Sequence, residues 1–276
     1  MKYESIIHKT KFRKSSSATD AAFSHLTLAQ FSSEGVQIAT IDGLGSITGI
    51  DLYGFHSSPD PVEIKHQRTI LTIDPIYSTL VPNSIFTQKK AADFLNFQIA
   101  KTPQEMVVLT ETVSELDATL VYGIDAHLAA FAENIFQEVK IHSSSKGLLS
   151  YWKLLHTNHQ KPITCIHIEN NQLLISCWRK NELLFFTTQE TQQVEDVIYH
   201  VLYSLDQLSE EFNQLPLVWS TSISSKTFAE KAIEILKSYH SHIEPLTGFD
   251  KQQINQLDPS IQIHQSAKLI SSLLCE

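Results

Sequence analysis

At residues 163–187 the chain reads ITCIHIENNQLLISCWRKNELLFFT. Three short runs rich in β-branched and apolar residues are separated by two polar turns, a pattern typical of consecutive antiparallel strands. The predicted strands are 163–168, 172–178 and 183–187. Large apolar residues fall in both alternate sets of the last two runs, so we expect the sheet to be covered on both faces.

A helix is predicted directly after the third strand. Thr187 and Glu190 have the spacing of a capping box, in which each side chain bonds the other residue's backbone amide. From Val194 to Leu208 the apolar residues recur at helical spacing and form one continuous stripe. We therefore expect this helix to pack along its stripe against the sheet.

Composition excludes several classes of protein. The 276 residues carry a net charge of −9, which disfavours nucleic acid as a partner, because that binding depends on neutralising phosphates. No apolar run reaches the roughly 18 residues that a membrane span needs, and no signal peptide is evident at the start. Three cysteines without a CxxC pair favour a reduced, cytoplasmic setting. Cys165 and Cys177 are expected to be buried core residues of adjacent strands.

A second meander is predicted near the start of the chain, with strands at 26–31, 36–41 and 46–55. A further polar strand is possible before it. Ser57-Ser58-Pro59-Asp60 has the composition of a helix start, with Pro61 acceptable in the first turn, and the helix is predicted to run to about Leu71. The remaining predicted strands are 77–81, 139–142, 217–219 and 242–246. The remaining predicted helices are 84–97, 125–136, 148–156, 225–239, 252–257 and 266–274.

The two meanders indicate an internal repeat. Leu26 and Ile163, which begin them, are 137 residues apart, although few residues are identical between the halves. We expect two domains, 1–160 and 161–276, separated at the polar, proline-ended linker 158–162. The first domain carries an extra strand pair within 105–122.

The duplicated order of elements resembles the ribonuclease-H-like fold, and two copies in one chain resemble the actin-like ATPase superfamily. More narrowly, the chain resembles a family of uncharacterised bacterial proteins, a domain of unknown function, with that fold. The segments that carry this resemblance are Leu80-Val-Pro-Asn-Ser-Ile-Phe86, Val139-Lys-Ile-His-Ser-Ser144 and Ile166-His-Ile-Glu-Asn-Asn-Gln-Leu173. The fold class implied is α/β, with two mixed sheets and helices on both faces.

The resemblance implies a nucleotide site in the cleft between the halves. In actin-like ATPases the first hairpin turn of each half begins with Asp and is rich in Gly, and a Gly-Gly loop in the second half receives adenosine. Here the turns read Ser32-Ser33-Glu34-Gly35 and Glu169-Asn170-Asn171, and a serine-rich segment replaces the loop. The site residues that correspond are Ser32, Ser33, Glu169, Asn170, Asn171 and Ser222. We expect a degenerate nucleotide site, without bound ATP-Mg and without catalytic residues.

Other motifs favour structural interpretations. The turn 42–46 is glycine-rich but lies in the wrong hairpin for a phosphate loop, and 143–147 fits a helix N-cap better than an anion site. The thirteen histidines, including the pairs His156/His159 and His240/His242, show no ligand spacing for a metal and are expected to be solvated. The strands lack the carboxylates of a ribonuclease-H nuclease.

Two hypotheses of function follow. The first is a cytoplasmic, non-hydrolysing binding or scaffold module that takes a protein partner in the cleft or on the inserted strand pair. The alternative is a divergent nucleotide-binding ATPase or a sugar-kinase-like enzyme. In that case the phosphate contacts would come from the hydroxyls and amides of the same site residues. The identity of the partner is not readable from the sequence.

Overall fold

A computed structural model describes residues 5–13, 26–41, 47–56, 68–97, 105–136, 139–159, 161–208, 215–247 and 263–275. The strands in these ranges are β1 (Ser5–Arg13), β2 (Leu26–Ser32), β3 (Gly35–Ile41), β4 (Ile47–His56), β5 (Arg68–Ile73), β6 (Tyr77–Pro82), β7 (Met106–Val113), β8 (Ala118–Asp125), β9 (Ile141–Ser143), β10 (Ile163–Ile168), β11 (Gln172–Arg179), β12 (Glu182–Glu190), β13 (Leu217–Thr221) and β14 (Ile243–Pro245). The α-helices are α1 (Ala91–Asn96), α2 (Ala126–Ile135), α3 (Ser144–His159), α4 (Val194–Asp206), α5 (Lys226–Leu236) and α6 (Ala267–Ser271).

The first sheet has the order β1-β4-β3-β2-β5-β9 and contains the predicted meander β2–β4. The predicted helix to Leu71 is wrong over its described end, because Arg68–Ile73 is strand β5, parallel to β2. Ile70, Leu71 and Ile73 are buried in the sheet, where their β-branched and apolar side chains pack well. The start of that prediction, 57–67, and the turn 42–46 lie outside the described residues.

A second, smaller sheet is inserted between β5 and β9, with the order β6-β8-β7. It contains the predicted extra hairpin, and the predicted strand 77–81 also belongs to it, as β6. The predicted helix to Phe97 is short, because a 3-10 turn at Gln88–Lys90 precedes the six residues of α1. We call this unit the inserted sheet.

Buried Glu111 joins the inserted sheet to the first sheet. One carboxylate oxygen accepts hydrogen bonds from the Tyr122 hydroxyl at 2.7 Å and the Ser143 amide at 2.6 Å. The other oxygen lies 2.8 Å from His142 Nδ1 and 3.3 Å from Lys146 Nζ. These contacts outweigh burial, which by itself raises the pKa of Glu111, and hold that pKa below its usual value.

The third sheet has the order β12-β11-β10-β13-β14 and confirms the predicted meander of 163–187. Its two faces belong to different apolar clusters, so the prediction of a doubly covered sheet is also confirmed. Cys165 and Cys177 are both buried, as expected. The capping box predicted at Thr187 is wrong, because β12 continues to Glu190 and the box is formed by Gln193 and Asp196 at the start of α4.

The C-terminal segment 263–275 is built into the core. It comprises a 3-10 turn, helix α6 and a second 3-10 turn, in agreement with the helix predicted at 266–274, whereas the one at 252–257 lies outside the described residues. Helix α6 packs against α3 so closely that a Cβ on Gly147 would lie 2.5 Å from the Ser271 carbonyl oxygen. A side chain at 147 would therefore force α6 away from α3.

Among the described residues no helix is long and apolar enough to cross a membrane. The boundary predicted near residue 161 lies between α3 and β10 and stays a prediction.

Val201→Asp tests the packing of α4. Val201 is 1% exposed and lies between Val197 and Leu205 on the buried stripe. The substitution places an unpaired carboxylate in an apolar interface and is expected to lower the free energy of unfolding by about 3–5 kcal/mol. Urea unfolding followed by circular dichroism measures this change.

Tyr203→Asp provides the control, because Tyr203 is 54% exposed on the opposite face of the same helix. It is expected to cost no more than about 1 kcal/mol. Equal losses for the two variants would contradict the packing of α4 described here.

Candidate functional site

The two hairpin turns compared in the sequence face each other across a cleft. The β2–β3 turn and the β10–β11 turn touch directly, since Asn170 Nδ2 donates a 2.6 Å hydrogen bond to Glu34 Oε1. A weaker contact of 3.4 Å joins Asn171 Nδ2 to Ser33 Oγ. The turn residues therefore bind one another at the mouth of the cleft.

Behind these contacts lies a pocket of about 150 Å³. Pockets that hold small molecules are usually about 300–1,000 Å³. Its lining is polar and includes Ser32, Ser33, Glu34, Asp74, Glu169, Asn171, Gln172, Glu190 and Ser222.

A buried ammonium group contacts residues that line this pocket. Lys268, on helix α6, is 2% exposed, and its Nζ lies 2.8 Å from Glu169 Oε2 and 3.4 Å from Asp74 Oδ1. A third contact of 3.4 Å is made to Gln172 Oε1. Lys268 thus binds the end of β5 and the β10–β11 turn at once. We call Asp74, Glu169 and Lys268 the cleft triad.

Each carboxylate of the cleft triad has further donors. Asp74 accepts hydrogen bonds from the Ser144 hydroxyl and, at 3.0 Å, from Gln30 Nε2. The second Glu169 oxygen lies 3.2 Å from His167 Nε2, whose ring is oriented through Nδ1 by the Ser220 hydroxyl at 2.9 Å. Burial lowers the pKa of His167, so the ring is neutral at pH 7 and donates from one nitrogen.

Two carboxylates share one ammonium, and their pKa values diverge as a result. Burial raises the pKa of Asp74 to about 6, although Lys268 opposes this rise. Burial also acts to raise the pKa of Glu169, but Lys268 and His167 outweigh it and lower that pKa to about 2. The carboxylates in turn hold the pKa of Lys268 above its usual value, against the effect of burial. The stable charged pair is therefore Glu169 with Lys268.

The C-terminal segment also covers the serine-rich loop of the second half. Ser222 forms an antiparallel bridge with Ser266, two residues before Lys268. His264 packs its ring on Trp219, with centroids 4.4 Å apart. Burial, helped by Lys226, lowers the pKa of His264 to about 4, so this ring contact is between neutral groups. The segment that carries Lys268 thus lies against the loop that, by the resemblance, corresponds to the adenosine loop.

These residues do not fit ATP-Mg. Magnesium requires free oxygen ligands in near-octahedral geometry, and the buried carboxylates Asp74 and Glu169 are already bonded to Lys268. The Lys268 ammonium contacts both of these carboxylates. In the described ranges no group of three His, Cys, Asp or Glu side chains is arranged to bind a metal ion.

The structure brings the predicted site residues together. Five of them line the same pocket, namely Ser32, Ser33, Glu169, Asn171 and Ser222, and Asn170 lies at its mouth. Whether they bind a ligand stays a prediction. Sequence reasoning missed Asp74 and Lys268. Asp74 follows directly on β5, so a correct assignment of that strand would have placed it at the cleft edge of the sheet.

Two other sequence interpretations have outcomes in the structure. The expectation that the histidines are solvated is wrong for His156, His167, His240 and His264, which are all buried. His156, His167 and His240 each make a hydrogen bond to a backbone group or a hydroxyl, which compensates for the loss of water. His264 packs on the ring of Trp219. At 143–147, Ser143 Oγ accepts the Ser145 amide in the first turn of α3, as an N-cap would.

Comparison with solved structures places the fold among the actin-like ATPases. The chain is similar to a protein from Bacteroides thetaiotaomicron with actin-like ATPase fold and unknown function, at 17% identity and a TM-score of 0.69, covering 92% of this chain and 97% of that one. It is also similar to a chain of the PilM-PilN type IV pilus biogenesis complex, at 9% identity and a TM-score of 0.59, covering 91% and 97%. At such identities the likeness concerns the fold alone.

The family is shown by sequence. The model of DUF3822, described as a protein of unknown function, matches residues 56–243, and the chain belongs to that family. No curated protein matches the chain.

Asp74→Asn tests the cleft triad through the pH dependence of stability. An acid whose pKa is raised on folding binds its proton more tightly in the folded state, so its contribution to stability grows as the pH falls through the folded pKa. With the Asp74 pKa at about 6, the parent is expected to gain about 1–2 kcal/mol over the variant between pH 7.5 and pH 5. Urea unfolding at four pH values in this window measures the difference.

Glu34→Gln, a change of the same kind at the exposed mouth of the cleft, is the control. The difference between its free energy of unfolding and that of the parent is expected to stay constant over this pH window. If the free energy of unfolding of Asp74→Asn also changes with pH as that of the parent does, the pKa of Asp74 is not raised.

Proposed function

We propose that this protein is a non-hydrolysing module of actin-like fold that acts by binding a protein partner. The observation that carries the proposal is the position of Lys268, whose ammonium binds Glu169 and Asp74 inside the cleft. Phosphoryl transfer requires a metal ion held near the phosphates and a positioned nucleophile. Here two of the pocket carboxylates, Asp74 and Glu169, are engaged by Lys268.

The turns support the same proposal. Close approach of backbone amides to phosphates depends on glycine, and the β10–β11 turn has none. Its asparagines instead bond the opposite turn, so a nucleotide would have to break the contacts to Glu34 and Ser33 before it could enter. The pocket of about 150 Å³ behind them is small for a nucleotide.

We also propose that the chain consists of two related ribonuclease-H-like units that meet near residue 161. Both large sheets begin with an antiparallel meander, and in both the first meander strand pairs in parallel with the next strand of the sheet, β2 with β5 and β10 with β13. The inserted sheet and β1 are then additions to the first unit. In this proposal, contacts between protein side chains, and not a nucleotide, connect the two units across the cleft.

A partner-binding role has a precedent in the fold, because a chain of similar structure is present in the PilM-PilN complex. The alternative of a divergent ATPase or sugar-kinase-like enzyme would need Glu169 to leave Lys268. The two hypotheses therefore differ in a measurable quantity, the binding and turnover of ATP.

Purified protein with Mg-ATP is expected to release phosphate no faster than the buffer alone. Binding is tested by thermal unfolding, because a ligand with a Kd near 0.1 mM would stabilise the fold by about 2.7 kcal/mol at 100-fold excess, which corresponds to several degrees in Tm. We expect a shift of less than about one degree, since the two turns are bonded to each other and the pocket behind them is small.

Glu169→Ala and Glu190→Ala form the matched pair for this test, because both carboxylates line the pocket and only Glu169 binds Lys268. Hydrolysis by the parent that is abolished in Glu169→Ala and retained in Glu190→Ala would overturn the proposal and make Glu169 catalytic.

A further inference from the structure

A second and larger cavity, of about 750 Å³, lies away from the cleft, between the inserted sheet and the third sheet. Its walls are the edge strands β6 and β12 together with the turn 114–118 that joins β7 to β8. The two strands meet where the hydroxyls of Ser78 and Thr188 lie 2.7 Å apart. From that contact β6 runs on to Pro82 and β12 runs back to Glu182, and the cavity opens between them. We call it the edge groove.

Both walls of the edge groove are free sheet edges. Strand β6 pairs only with β8, and β12 pairs only with β11, within the described sheets. Such an edge presents unpaired backbone N–H and C=O groups, which can pair with another extended chain. The stretch Leu183–Phe186 offers about 13 Å of this edge, the length of four extended residues.

The side chains of the edge groove are apolar and incompletely covered. Leu80, Leu116, Leu183, Leu184, Phe185 and Phe186 line it, and each is partly exposed. A register shift between Cys177 and Trp178 of β11 places Leu184 opposite no partner, so β12 bulges at this point. Bulges redirect side chains and are common beside binding sites.

The rim of the edge groove is acidic. Its lining contains Glu115, Asp117 and Glu182 and one base, Lys153, whose Nζ donates to the Glu115 carbonyl oxygen. Arg179, opposite Glu182 in the β11–β12 ladder, and Lys180 of the same turn lie outside the lining. Over the described ranges of the chain no ion pair engages Asp117 or Glu182. An occupant with a lysine or arginine beside its apolar residues is therefore favoured over a neutral or acidic one.

We propose that the edge groove is the docking site for an extended segment of the partner protein. This segment adds as a strand to the free edge of β12, places alternate apolar side chains in the groove and directs at least one lysine or arginine to the rim. Main-chain hydrogen bonds give the affinity of such a complex, and the pockets for alternate side chains give its specificity. The inference rests on the proposed function, since it names the surface and the chemistry of the partner.

The test uses a displayed library of random ten-residue peptides, selected on the immobilised full chain. Enriched peptides are expected to share alternating apolar residues and at least one lysine or arginine. Their affinity, measured by fluorescence anisotropy, is expected to fall about five-fold in Glu182→Lys and about ten-fold or more in Leu80→Arg, which places a charge in the groove. Hydrogen exchange of the complex is expected to show new protection along β12.

Glu234→Lys makes the same charge change as Glu182→Lys on an exposed position of α5, and it is expected to leave the affinity unchanged. If Leu80→Arg does not fold, the comparison of Glu182→Lys with Glu234→Lys carries the test, since both positions are exposed. Selection of no peptide, or of peptides that bind all variants equally, would overturn the inference. So would self-association of the chain that Leu80→Arg abolishes, because the occupant would then be a second copy.

The two proposals fail separately. Turnover of ATP would contradict the proposed function. The peptide affinities of Glu182→Lys, Leu80→Arg and Glu234→Lys would still decide whether the edge groove binds peptides. A chain without ATPase activity whose selected peptides ignore Glu182→Lys contradicts the docking site alone.

Discussion

The cleft is held together by one buried ammonium group with two carboxylates. Ionised side chains lose several kcal/mol of hydration when they enter a protein interior, and only close pairing with further hydrogen bonds compensates for that loss. Lys268, Glu169 and Asp74 come from three separate parts of the chain, so none of these parts can move without leaving a charge unpaired. The neighbouring donors Gln30, Ser144 and His167 complete the pairing. These contacts join the end of β5, the β10–β11 turn and the C-terminal segment around one cleft.

Under the proposed function, the same arrangement distinguishes this chain from a nucleotide-dependent member of the fold. Where a bound ion and phosphates would supply charge between the halves, the chain supplies its own cation on α6. Under the proposed function, the position of the halves does not depend on the concentration of a nucleotide. A fixed cleft of this kind suits a module that presents surfaces to a partner, and the edge groove lies on such a surface, at the border of the inserted sheet and β12.

Much of the fold could be predicted from local sequence, whereas the decisive contact could not. The meanders have strong period-two and turn signals, and α4 has a continuous apolar stripe, so both were predicted correctly. Strand β5 was missed because the serines and prolines of 57–61 favour a helix start. The residues that follow were therefore assigned to the predicted helix. That error also displaced Asp74 from the cleft edge. Lys268 carries no local signal, because a lysine within a short helix is usually solvated and only long-range packing buries it.

The buried place of α6 also bears on the order in which the molecule is completed during synthesis. Lys268 emerges from the ribosome 99 residues after Glu169 and 194 after Asp74. At a synthesis rate of about 5–20 residues per second, roughly 5–20 s pass between the synthesis of Glu169 and that of Lys268. During that time the nascent chain exposes the apolar face of α3 that α6 later covers, together with two carboxylates that have no cation. That face of α3 and both carboxylates are therefore covered only after the segment 263–275 has been made and has packed in place.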